Sequence, residues 1–113
     1  MVVPGYTYRA VITDVYDGDT VTADIDLGLS TWVHGEKLRL YRINAPEVRG
    51  AERTVGLESR DWLREKVLGK TVIIQTIKDR KGKYGRYLAE IWLNQQNMND
   101  LIVAAGHAEY KDY

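Results

Sequence analysis

Asp19-Thr-Val-Thr-Ala-Asp-Ile-Asp-Leu27 alternates without a break, with Val21, Ala23, Ile25 and Leu27 on one face of an extended chain and Thr20, Thr22, Asp24 and Asp26 on the other. A period of two marks a strand with one buried face. Tyr8 to Tyr16 alternates more loosely, and Tyr16-Asp-Gly18 supplies a tight connection, so the two runs read as antiparallel neighbours. The same period puts Asp19 on the face of Val21 and Ala23, where a carboxylate is costly without a partner or a metal.

Beyond Leu27, Gly28-Leu-Ser-Thr-Trp-Val-His-Gly35 reads as a long hairpin connection. It leads into a third strand at about Lys37 to Ile43 that ends at Asn44-Ala-Pro46, since proline cannot continue a strand interior. A charged loop precedes a helix over Leu57 to Leu68, with Leu57, Leu63, Val67 and Leu68 in one stripe, Trp62 off it, and Gly69 as the stop. Thr71 to Ile77 and Tyr87 to Leu93 are two further strands, joined by a basic turn containing Gly82 and Gly85. A short helix is expected near Met98 to Ala105, capped by Asn97 or Asn99 and ended by Gly106. Five strands with a helix between the third and fourth match a Greek-key barrel of the OB type, a mainly β fold with helices whose open face often receives nucleic acid.

The 113 residues suit one domain, read as 1–113, with neither repeat nor linker. The absence of cysteine excludes disulfides and thiolate zinc sites. No signal-peptide pattern or membrane-length apolar run occurs, so a soluble, cytoplasmic monomer is expected. Net charge is zero, but residues 39–86 carry 13 Lys or Arg against 6 acids, while the remainder carries 3 against 10. A basic middle inside an acidic periphery keeps a polyanionic substrate in view, although solvated surface charge accounts for part of it.

Three clusters fall at corresponding strand ends: Asp17-Gly18-Asp19-Thr20, Arg39 with Asn44-Ala45-Pro46-Glu47, and Lys83-Tyr84-Gly85-Arg86. Each alone is an ordinary turn or an exposed strand arginine. His34 and His107 stand apart from any metal-ligand spacing, and Trp32 is expected to cover one barrel end or to meet a partner, with packing the favoured reading.

The three clusters in this order resemble the staphylococcal nuclease family, through Val15-Tyr-Asp-Gly-Asp-Thr-Val21, Leu38-Arg-Leu-Tyr-Arg-Ile-Asn-Ala-Pro-Glu47 and Lys83-Tyr-Gly-Arg-Tyr-Leu-Ala89. The resemblance runs from about Tyr8 to Tyr110. It implies Arg39 and Arg86 on the scissile phosphate and Glu47 as general base or water-orienting group. It further implies Ca²⁺ held by Asp19, by the residue at Asn44 and by the backbone carbonyl of Ala45. Relatives commonly have aspartate where this chain has Asn44, so weaker calcium binding is expected. Asp17 and Thr20 are placed behind the metal, with a plain turn as the other reading of Asp17. Lys83 and Tyr84 match residues that contact a terminal phosphate. Tyr110 or Tyr113 would stack on a base or pack at the edge of the core. Relatives often continue into another helix beyond Tyr110, so a smaller core, or a surface covered by a partner, is expected.

The residue types fit phosphodiester hydrolysis. Guanidiniums match the nonbridging oxygens on which charge develops, a hard cation neutralises phosphate, and a carboxylate orients or deprotonates water. The expected activity is a calcium-dependent nuclease cutting DNA, RNA or both, favouring single strands and leaving 3′-phosphate ends. The competing reading is a catalytically silent OB-type module that binds nucleic acid or a protein. Retention of Arg39, Glu47 and Arg86 favours the enzyme.

Overall fold

The computed structural model describes residues 6–81 and 85–111, and for 78–81 the backbone alone. Strands β1 (Thr7–Asp17), β2 (Thr20–Asp26) and β3 (Trp32–Leu40) form a meander. The two-residue strand β4 (Ile43–Asn44) follows, then a 3₁₀ turn over Gly50–Glu52 and helix α1 (Arg53–Val67). Strands β5 (Thr71–Lys81), β6 (Tyr87–Leu93) and β7 (Gln96–Asn97), helix α2 (Met98–Ala104) and β8 (Glu109–Tyr110) complete the order. β1 pairs antiparallel with β5, and β5 with β6. Parallel pairing of Leu38, Arg39 and Leu40 with Tyr87, Leu88 and Ala89 closes the five long strands into a barrel. Closure removes the exposed edge, and inward side chains fill the barrel: Ile12, Val15, Val21, Leu38, Ile74 and Ile91 are fully buried.

The alternation read from β2 holds, with Val21, Ala23 and Ile25 inside and Leu27 at the exposed strand end. Three details differ from the sequence reading. The long connection after Leu27 is a tight turn, closed by Leu27 N–H to Thr31 O at 2.8 Å and Thr31 N–H to Gly28 O at 2.9 Å. Its central residues, Leu29 and Ser30, take φ of 55° and 59°, a left-handed conformation usually marked by Asn or Gly. β3 therefore starts at Trp32, which faces outward, half exposed and stacked on His34.

Helix α1 begins at Arg53 rather than Leu57, and its buried face is Gly56, Ser59, Leu63 and Val67. Leu68 lies past its end and is exposed. Trp62, off the predicted stripe, packs beside His107 with Lys66 over its ring. Finally, β8 pairs with β4, joining Ile43 to Tyr110 and Asn44 to Glu109, a two-stranded ladder with no strand-like run in the sequence.

Two polar assemblies hold the segment that follows β3. Arg42, at φ 70°, donates through Nε and Nη2 to the two carboxylate oxygens of Glu90 (2.6 and 2.9 Å) and through Nη1 to Asp100 at 3.1 Å. The Glu90 bonds raise its guanidinium pKa further above its usual value. Asn99, fully buried, donates to Tyr41 O and Ala89 O and accepts from Ile91 N–H. Asn97 is the cap of α2, accepting from Asp100 N–H at 2.9 Å.

Candidate active site

The β1–β2 turn, the end of β3, the Asn44–Val48 segment and the start of β6 meet at one end of the barrel. A cleft of about 710 Å³ opens there, and Asp17, Thr20, Glu47 and Arg86 are among its lining residues. Arg86 donates through Nη1 to Thr20 Oγ1 at 3.2 Å. Glu47 is exposed on its loop, with its peptide N–H 3.4 Å from Glu52 Oε1.

Behind the cleft, Asp19 has the partners its inward position demands. Its Oδ1 accepts from Thr20 Oγ1 at 3.0 Å, and its Oδ2 from Ala45 N–H at 2.8 Å, with Arg39 Nη2 3.3 Å away. The peptide group of Ala45 that meets Asp19 is thus its N–H. Arg39 is a buried clamp: Nη1 donates to Leu40 O and Ile43 O, and Nη2 reaches Asn44 Oδ1 at 3.3 Å. The two arginines therefore differ. Arg86 lines the cleft, whereas Arg39 ties the strand end to Asp19 and Asn44.

Asp17 accepts from Asp19 N–H through Oδ1 at 3.1 Å. Its pKa is raised to about 7, chiefly by burial and then by contact with the Asp19 carboxylate. The folded protein thus holds a proton on Asp17 that the unfolded chain has released above about pH 4. Stability conferred by this group falls as pH rises from about 4 to 7, and the penalty is complete above that. With chelator present, Asp17→Asn, which keeps an acceptor for Asp19 N–H, should raise the melting temperature at pH 8 by several degrees and leave it unchanged near pH 4. Equal melting shifts at both pH values would refute this account.

Helix α1 sets the depth of the site. An ideal Cβ on Gly56 would lie 1.9 Å from Glu47 O and 2.9 Å from Val48 N. One on Gly18 would lie 2.0 Å from Ser59 Oγ and 2.8 Å from the Ala45 side chain. Ser59 itself donates to His107 O at 2.8 Å. One helical face thus touches the carboxylate turn and the Glu47 loop.

Of the other residues singled out in sequence, Lys83, Tyr84 and Tyr113 lie outside the described residues. Tyr110 is not a cleft residue: its hydroxyl donates to Asp100 at 2.9 Å and its ring lies beside Arg42. Tyr16, Lys37 and Arg49 do line the cleft. Nothing in the sequence marks them, since an exposed Tyr, Lys or Arg carries no local pattern. Among the described residues, no three His, Cys, Asp or Glu side chains converge as a metal site.

The fold and the site define an OB-type barrel with a cleft lined by Asp17, Glu47 and Arg86 at its strand ends and backed by Asp19. The profile described as Staphylococcal nuclease homologue matches residues 37–113, and the chain belongs to that family. It is 29% identical to a thermonuclease of Staphylococcus hyicus over 110 residues, covering 95% of this chain and 60% of the relative. It is 28% identical to a thermonuclease of Staphylococcus intermedius, covering 91% and 60%. An uncharacterized protein of Methanocaldococcus jannaschii is 27% identical, with 89% and 58% covered. The chain spans about three fifths of the length of these curated relatives.

Proposed function

We propose that this domain is a nuclease hydrolysing phosphodiester bonds of DNA or RNA. The observation that carries the reading is the convergence of Glu47, Arg86, Thr20 and Asp17 on one cleft. In the proposed reaction, Glu47 takes a proton from water as its oxygen bonds to phosphorus. The bond from phosphorus to the 5′ oxygen breaks, that oxygen acquires a proton, and phosphate stays on the 3′ end. Arg86 donates to the nonbridging oxygens as charge grows on them. Arg39, spread over the Asp19 and Asn44 oxygens, supplies fixed positive charge from behind.

The donor set suits a hard divalent cation such as Ca²⁺. Asp17 and Asp19 place carboxylates together in a buried turn, and their mutual repulsion, part of what raises Asp17, is what a cation relieves. Asp17, Asp19, Asn44 Oδ1 and the Ala45 carbonyl would hold it, and when bound it would neutralise phosphate charge. Only two of these groups are acids, and Asp19 Oδ2 already serves Ala45 N–H and Arg39. Weak binding follows. Unpaired strands are the preferred substrate, because an open cleft reaches their phosphates and bases together.

The test is incubation of the purified protein with single-stranded DNA and RNA, with calcium or chelator. Glu47→Gln and Arg86→Ala should each lower kcat by about a hundredfold or more. Asn44→Asp should lower the calcium concentration needed for half-maximal rate. Cleavage unaltered in the first two variants would assign the activity to another site. Binding without cleavage would instead favour the silent-module reading.

A further inference from the structure

The outer face of the barrel next to the carboxylates is built in two cross-strand rows. In the first, Asp17 pairs with Thr20 and Thr20 with Arg39. In the second, Asp14 pairs with Thr22 and Thr22 with Lys37. On β2 the rows are two residues apart, about 6.6 Å. That is of the order of the step between successive phosphates in an extended single strand.

The β1–β2 register shifts between the rows. Val15 pairs with Val21 and Asp17 with Thr20, so Tyr16 is the extra residue of a β-bulge. Bulges beside active sites re-aim a side chain. Here the re-aimed side chain is Tyr16, 51% exposed and lining the cleft together with Thr22 and Lys37. Asp14, in the second row, is exposed and lies 4.0 Å from Arg64.

We propose that Tyr16 and Lys37 form a nucleotide subsite beside the scissile phosphate. Tyr16 stacks on the base of the neighbouring nucleotide of an unpaired strand, and Lys37 takes the next phosphate along. The subsite rests on the nuclease reading above and names the part of the substrate beyond the reacting bond. It also supplies, inside the cleft, the stacking surface that Tyr110 does not provide. An aromatic face accepts any base, so the subsite selects for strandedness rather than sequence.

The experiment compares an unpaired DNA dodecamer with a single-nucleotide aryl phosphodiester, which lacks the neighbouring nucleotide. Tyr16→Ala should raise KM for the dodecamer about tenfold, with kcat within about twofold, and should act on KM for the aryl ester by less than about twofold. Tyr16→Phe should restore the dodecamer KM, because stacking needs the ring and not the hydroxyl. Tyr6→Ala, at an exposed tyrosine outside the cleft, serves as the control. Lys37→Gln should lessen the salt dependence of log KM by about 0.7. If Tyr16→Ala affects both substrates equally, or neither, the subsite is wrong while the nuclease reading stands. If the wild type binds the dodecamer in chelator but never cleaves it with calcium, the nuclease reading falls. The subsite is then decided by the same ratio read as Kd from fluorescence anisotropy. No binding and no cleavage would overturn both.

Discussion

Gly56→Ala is expected to lower the rate of the proposed phosphodiester cleavage by about a hundredfold, by way of the base assigned there to Glu47. The added Cβ would lie 1.9 Å from Glu47 O and 2.4 Å from its carbonyl carbon, both backbone atoms. A flexible side chain could swing aside, but here the helix or the Glu47 loop must move. Displacement of a reacting group by about 1 Å costs on the order of a hundredfold in rate. The stability effect should be smaller. Overpacking costs about 1–3 kcal/mol, and alanine regains about 1 kcal/mol of helix propensity over glycine. The decisive measurement is a double-mutant cycle with Glu47→Gln. If Gly56 acts by positioning Glu47, its substitution costs little in a protein already lacking that carboxylate. A full hundredfold loss in both backgrounds would mean that the helix contact serves something other than Glu47. Thermal unfolding of each variant separates lost activity from lost protein.

The same contact illustrates what the sequence could and could not disclose. The five long strands were legible because alternation records which face is buried, and β2 records it cleanly from Val21 to Ile25. The need of Asp19 for a partner was legible for the same reason. Apart from the adjacent Thr20 hydroxyl, its partners are Arg39 and the Ala45 N–H, 20 and 26 residues further on and brought there by the fold. Backbone conformation left weaker traces. Leu29 and Ser30 take left-handed conformations at the centre of the turn without being glycine or asparagine, so the β2–β3 connection read as too long. The bulge at Tyr16 is a property of two strands in register, and one strand alone does not encode it. Charge misled in a different way. The basic middle of the chain suggested a cationic surface, yet Arg39 and Arg42 spend their guanidiniums on internal carboxylates and carbonyls. Arg49 and Arg86 from that stretch do reach the cleft, as does Lys37 from just before it.

Asn99→Ala is expected to be the most destabilising of the substitutions considered, by about 2–4 kcal/mol, because it removes a buried amide that serves three main-chain groups at once. Asn99 is fully buried and serves three main-chain partners. Ala89 O keeps a donor after the change, since Tyr41 N–H also reaches it at 2.9 Å. Tyr41 O and Ile91 N–H lose the amide that pairs them. Left unpaired, the buried Ile91 N–H costs about 1–3 kcal/mol, and the lost amide leaves a cavity besides. Against a total stability of about 5–15 kcal/mol, that is a large share. The neighbouring cap should be less sensitive, with Asn97→Ala near the ~1 kcal/mol typical of a cap residue. Asn99→Asp gives an independent check through pH. A carboxylate there keeps the acceptor for Ile91 N–H, but ionisation in an apolar setting is costly, so burial raises its pKa above the unfolded value. The protonated form can also donate. Asn99→Asp should therefore be less destabilising at pH 4 than at pH 8, and stability should fall as pH rises between them. Urea unfolding reads both effects as a shift in midpoint at constant slope. A midpoint for Asn99→Ala as high as that for Asn97→Ala would mean that the strand ends and α2 are held together without the buried amide. The turn through Tyr41 and Arg42, and with it the Ala45 N–H on Asp19, would then owe its position to the pairs of Arg42 with Glu90 and Asp100 and to the bonds from Arg39 to Leu40 O and Ile43 O.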